Sequence, residues 1–140
     1  MVRDRLTDGK RIAQLLASEI DGGGGGLADL SVEDARPDVE PTVDGALAYA
    51  VVRAAEGDGD GDGGERLAEV YVQPDRARIE LLAGQAEGAE AAADRGLRVR
   101  PKAVRPPRTL VFVEDGAQVK WALPAFEAAA AALDADGPVG

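Results

Sequence analysis

Asp58, Asp60 and Asp62 alternate with glycines, Gly63 follows at once, and Glu69 closes the twelve residues DGDGDGGERLAE. This spacing satisfies the D-x-[DN]-x-[DN]-G-x5-E pattern of the EF-hand calcium loop, whose staggered carboxylates wrap a hard cation. A second stretch, RGLRVRPKAVRPPR, holds Arg95, Arg98, Arg100, Lys102, Arg105 and Arg108 with no acidic residue, inside a chain of net charge −10. Guanidinium groups pair with carboxylates or phosphates through two parallel hydrogen bonds, so this strip is the candidate site for an anionic partner. The simpler role for the same side chains is to neutralise neighbouring carboxylates.

Other chemistries are narrowed by what is missing. The chain has no cysteine and no histidine. Thiolate nucleophiles, disulfides, thiolate zinc sites, His or Cys haem ligation and Ser-His-Asp catalysis are therefore excluded. Any metal would be a hard ion held by oxygen. The hydroxyls of Thr7, Ser18, Ser31, Thr42, Thr109, Tyr49 and Tyr71 sit in no nucleophile motif. Carboxylates are plentiful, so a small enzyme using paired carboxylates is the alternative to a binding module. No catalytic residue is assigned and no cofactor is expected.

Composition also indicates a setting. The 140 residues carry 26 acidic and 16 basic side chains, and Lys10, Lys102 and Lys120 are the only lysines. Dense carboxylates hold hydration in concentrated salt, where their mutual repulsion is screened within a few ångströms. A halophilic source is the reading, and a haloarchaeon in particular. No run of 18 apolar residues occurs, and MVRDRLTDGKR lacks the hydrophobic region of a signal peptide. A cytoplasmic protein without a membrane partner is expected.

The elements that must position these residues follow from periodicity. Thr7 is the expected N-cap of a helix with Ile12, Leu15, Leu16 and Ile20 on one face, ended by Asp21 and a five-glycine run. LADLSVED alternates as a half-buried strand with Ala28, Leu30 and Val32 on one side, and ALAYAVVRA reads as a second strand. RLAEVYVQPDRARIELLA reads as a hairpin around Pro74 and Asp75. Its register sets Val72 opposite Ala77, Val70 opposite Ile79 and Ala68 opposite Leu81. The other face then carries Glu69, Tyr71, Arg78 and Glu80, with Glu69 opposite Glu80 as an unfavourable like-charge pair in dilute buffer.

A short helix should follow, facing the sheet with Ala86, Ala89 and Ala93 and stopped by Gly96. LRVR, next to Pro101, reads as an edge strand and RTLVFVE as a central one. Asp115 should cap a last helix with Val119, Leu123, Phe126, Ala130 and Leu133 as its buried stripe, kinked or restarted at Pro124. Tyr49, Tyr71 and Trp121 are expected in the core or at its edge. The order α-β-β-β-β-α-β-β-α predicts an α+β fold: two layers, with a mainly antiparallel sheet of four to six strands and three helices. Residues 1–140 are expected to form a single domain with low-complexity loops at 21–26 and 56–65 and a frayed tail at 134–140.

This framework counts against calcium. An EF-hand needs a helix on each side to present the closing glutamate, whereas strands flank the acidic run here. Asp58, Asp60, Asp62 and Glu69 are thus read as part of an acidic connector, with a weak calcium site through residues 58–69 as the lesser alternative. For the basic strip, no aromatic residue interleaves it and counterion-driven binding collapses in salt, which favours a protein partner over nucleic acid. The segments RDRLTDGKRIAQLLASE, VYVQPDRARIEL and RVRPKAVRPPRTLVFVEDGAQVK cover somewhat under half the chain. They resemble a small uncharacterised protein family restricted to haloarchaea, with the glycine runs and Pro124 as departures from it. The resemblance implies source and compartment, and no mechanism. A non-catalytic interaction or regulatory module is the function expected.

Overall fold

The computed structural model of the chain describes residues 8–23, 27–53 and 65–135, with side chains through Leu133. Helix α1 runs from Gly9 to Asp21, followed by strands β1 (Leu30–Glu33), β2 (Ala46–Arg53), β3 (Glu65–Gln73) and β4 (Arg76–Leu81). Then come helix α2 (Gln85–Asp94), strands β5 (Arg98–Lys102) and β6 (Arg108–Val113), and helix α3 (Gln118–Ala135). The expected α+β fold and element order are therefore observed. The expected loops at 21–26 and 56–65 and the tail at 134–140 fall largely outside the described residues. Within them, Asp21 is the last residue of α1, Glu65 opens β3, and α3 extends to Ala135.

The six strands form one antiparallel sheet in the order β1-β2-β3-β4-β6-β5. Since β4 and β5 are each antiparallel to β6, they run parallel to each other. Helix α2 makes the crossover between them, and β6 returns to fill the gap, a split βαβ arrangement. The hairpin has the register expected from its alternation, with Gln73 opposite Arg76, Val70 opposite Ile79 and Glu69 opposite Glu80. LRVR is at the edge as its proline suggested, although β5 starts at Arg98.

The helices cover one face of this sheet. Ile12, Leu16 and Ile20 of α1 and Phe126 of α3 are fully buried with Val70, Val72, Ile79, Leu81 and Val111 from the strands. Removing such side chains from water supplies the main driving force for the fold. The Tyr49 hydroxyl donates a 2.8 Å hydrogen bond to the carbonyl of Ala13, tying β2 to α1. Burial, and to a lesser degree Asp21, pushes the Tyr49 phenol well above its ordinary value, so it stays a neutral donor.

Local details depart from expectation for identifiable reasons. Asp8, rather than Thr7, caps α1: its carboxylate accepts from the Arg11 amide at 3.2 Å. Acid and hydroxyl are adjacent in sequence, and Asp8 is the one whose extended backbone sits directly before the helix. Gly88 and Ala92 are the buried residues of α2, while Ala86 and Ala93 are exposed. A Cβ on Gly88 would stand 2.8 Å from Leu81 and 3.2 Å from the Ala125 carbonyl, so the smallest residue occupies the crossing with α3. Pro124 lies inside α3, which continues past it without interruption. The buried stripe of α3 is alanine-rich, with Ala122, Ala125 and Ala129 inside and Leu123 and Leu133 only half-buried. Trp121, expected in or beside the core, is 40% exposed.

Gly9 explains how α1 is placed. Its amide donates to the Pro74 carbonyl at 3.2 Å, and a Cβ there would collide with the carbonyl oxygen of Gln73. The first turn of α1 thus rests directly on the hairpin turn. Although alanine is the better helix former by about 1 kcal/mol, Gly9→Ala should destabilise the protein by about 1–3 kcal/mol through overpacking. Tyr49→Phe should cost about 1 kcal/mol by deleting one buried hydrogen bond. Urea unfolding midpoints check both, and an unchanged midpoint for Gly9→Ala would show that α1 does not bear on the turn.

Candidate functional site

The helix-free face of the sheet carries the charged residues. Alternation along β3 and β4 points Glu69, Tyr71, Arg78 and Glu80 to that face, as expected from the hairpin register. Long-range pairing then adds what the hairpin alone does not contain. With β6 between β4 and β5, Glu80 pairs with Leu110 and Lys102 pairs with Arg108. Both cations are thereby carried to the carboxylates.

Glu80 is completely buried. It accepts hydrogen bonds from Arg78 Nε at 2.9 Å, Arg108 Nη1 at 2.8 Å and Lys102 Nζ at 3.1 Å. Arg108 Nη1 also reaches Glu69 at 2.9 Å, so a single guanidinium nitrogen bridges the two glutamates. Glu69 accepts further bonds from Arg66 at 2.8 Å and the Tyr71 hydroxyl at 2.7 Å, and Arg66 also pairs with Asp34 at 2.8 Å.

The expected repulsion between Glu69 and Glu80 is therefore replaced by attraction through shared cations. Burial alone would raise the Glu80 carboxyl, but Arg108, Lys102 and Arg78 outweigh it and hold the group below its ordinary value. Glu69 is lowered in the same way, with Tyr71, Arg66 and Arg108 overcoming its desolvation. Burial and the bond to Glu69 raise the Tyr71 phenol. Glu80, foremost, raises the Arg108 guanidinium against its own partial desolvation.

Arg78 is fixed on several sides. Its guanidinium lies 4.8 Å from the Tyr71 ring centroid, and it donates to the Asp44 carbonyl at 2.9 Å. Gly45, at φ 95°, lies against it: a Cβ there would stand 2.8 Å from both terminal nitrogens. Along the same face Arg76 covers the Phe112 ring at 4.2 Å, and Arg76 and Arg98 reach Glu114 at 3.5 and 3.4 Å. Planar guanidinium groups thus roof both aromatic rings.

The six residues of the basic strip divide into two sets. Lys102 and Arg108 are engaged by the buried carboxylates, and Arg98 makes its looser contact with Glu114 while 59% exposed. Arg95, Arg100 and Arg105 are exposed, with no carboxylate partner among the described residues. These three follow the β5 edge, from the turn before the strand, through it, into the connection to β6. Of the calcium candidates, Asp58, Asp60 and Asp62 lie outside the described residues. Glu69 sits within β3, its carboxylate held by three donors, and the strands β2 and β3 flank the acidic run. Arg66 is not among the residues singled out from sequence, whereas Arg78 is expected on this face beside Glu69 and Glu80. The signal that points to Arg66 is the like-charge pair implied by the hairpin register, which demands cations nearby.

Removing a buried charge leaves its partners uncompensated, so Glu80→Gln should destabilise the fold by about 3–5 kcal/mol. Glu69→Gln should also destabilise, by about 1 kcal/mol; simple repulsion between the glutamates would make that substitution stabilising. Because both folded carboxyls lie below the ordinary 4.5, their contribution is complete above that pH and fades as pH falls through the lower folded values. Urea titrations of the parent and Glu80→Gln should therefore draw together as the pH is lowered from 4.5, and a gap that stays constant all the way down the acid range would contradict the assignment.

No curated protein and no solved structure matches the chain. Among the described residues, no helix is long and apolar enough to cross a membrane. A family model does match, across residues 1–138, and by that match the chain belongs to the family of unknown function DUF7993.

Proposed function

We propose that the protein is a non-catalytic interaction module that binds an acidic protein surface along the β5 edge, through Arg95, Arg100 and Arg105 with Arg98 beside them. The observation that carries this reading is the division of the basic strip. Three arginines remain exposed and unpaired among the described residues of a chain with ten surplus negative charges. Strand β5 alone extends over about 13 Å at some 3.3 Å per residue, so these groups address a surface rather than a single small anion. Guanidinium–carboxylate pairs are directional hydrogen bonds as well as charge contacts, which supports their use in a salt-rich cytoplasm, the setting this reading assumes.

A protein partner is favoured over nucleic acid by the aromatic residues of this face. Tyr71 and Phe112 lie beneath Arg78 and Arg76, so neither ring offers a free surface for base stacking. Cations on an edge strand also discourage sheet-to-sheet association, a role these arginines serve at the same time.

The test is a pull-down with the triple variant Arg95→Glu, Arg100→Glu, Arg105→Glu, beside Lys120→Glu on the exposed side of α3 as a charge control. The triple variant should retain the parent's thermal midpoint within a few degrees, since exposed charges contribute little to stability, and should lose acidic partners that the control keeps. Partners unchanged in the triple variant would overturn the proposal.

A further inference from the structure

At the opposite edge of the sheet, α1 leaves part of β1 and β2 uncovered, and a groove of about 200 Å³ opens between them. Its walls are carbon. Ala13 and Ala17 of α1 face Val32, Ala48 and the Tyr49 ring across the gap, and Val39 closes one side. The alanines make the space, because larger side chains at these positions would fill it. The loop forming the outer wall is pinned: the Arg36 amide donates to the Ala48 carbonyl at 2.8 Å, and the Val39 amide donates to the Arg36 carbonyl at 3.0 Å. Tyr49 is anchored as well, through its bond to Ala13. The groove is therefore preformed.

Two cations, Lys10 and Arg36, border this carbon surface. Among the described residues neither has an anionic partner, and no carboxylate is among those lining the groove. In a chain so rich in acid, an apolar hollow whose charged border residues, among those described, are both cations is complementary to one class of molecule.

We propose that the groove binds a small hydrophobic monocarboxylate, with an apolar body of about six to eight carbons or a single ring between α1 and β2 and its carboxylate held by Lys10 and Arg36. Size supports this class, since a cavity of about 150 Å³ accommodates a benzene-sized molecule. Arginine supports it too, because its fork matches both carboxylate oxygens. The site lies at the sheet edge opposite β5 and does not depend on the partner proposed above.

The experiment is a two-dimensional NMR titration of the full chain with hexanoate and, separately, with 1-hexanol. Hexanoate should give saturable shifts centred on Ala13, Ala17, Val39 and Ala48, and hexanol weaker shifts at the same residues. Lys10→Glu combined with Arg36→Glu should weaken hexanoate roughly tenfold or more while leaving hexanol within about twofold. Ala17→Leu, on the partly exposed side of α1, should fill the groove and abolish both. Absence of saturable shifts, or equal weakening of acid and alcohol in the charge variant, would overturn the proposal. So would groove resonances that move with protein concentration rather than with hexanoate, because a second copy of the chain would then be the occupant.

Discussion

A fully buried carboxylate has to be surrounded by donors, and Glu80 obliges the sheet to deliver them. Taking an ion out of water costs several kcal/mol, which only close, well-directed partners offset. Arg78 comes from the same strand, but Lys102 and Arg108 come from β5 and β6, more than twenty residues later. They arrive because β6 inserts between β4 and β5. An exchange of β5 and β6 would carry Arg108 away from the glutamates and leave Glu80 short of a partner. The strand order and the charged cluster are therefore two descriptions of one constraint, and Arg108, bridging both glutamates, is where they meet.

Much of the architecture was legible locally. The hairpin residues alternate on both strands around a Pro-Asp turn, and only one register buries both apolar sets, so the pairing from Ala68 opposite Leu81 to Gln73 opposite Arg76 follows from sequence. Pro101 likewise marks β5 as an edge, since it has no amide to give a ladder. The face of α2 was not legible, because in QAEGAEAAAD every small residue is a candidate and hydrophobicity does not rank them. The closeness of α3 decided it, selecting Gly88 over its alanine neighbours. The unbroken α3 has a related cause: burial of Ala122, Ala125 and Phe126 on either side of Pro124 favours one helix despite the missing amide.

The site was legible in composition but not in arrangement. Six cations without an intervening acid stand out in an acidic chain, yet nothing in their spacing separates those that neutralise from those that remain available. That separation depends on which strand lies beside which. The acidic run shows the converse. Its letters satisfy a calcium pattern to the last residue, but Glu69 is committed to Arg66, Arg108 and Tyr71 by the sheet it belongs to. A linear pattern records order along the chain, while coordination chemistry needs direction in space.

The contact of Gly9 with the hairpin turn has a consequence for how such chains can vary. Turns at hairpin tips ordinarily face solvent and tolerate extra residues. Here the side chains of Pro74 and Asp75 are exposed, but the turn backbone bears the first turn of α1, which lies against the carbonyls of Gln73 and Pro74. An inserted residue would lift the helix and uncover Ile12 and Leu16 beneath it. Length variation among related chains should therefore concentrate in other connections, and this hairpin should keep its two-residue tip.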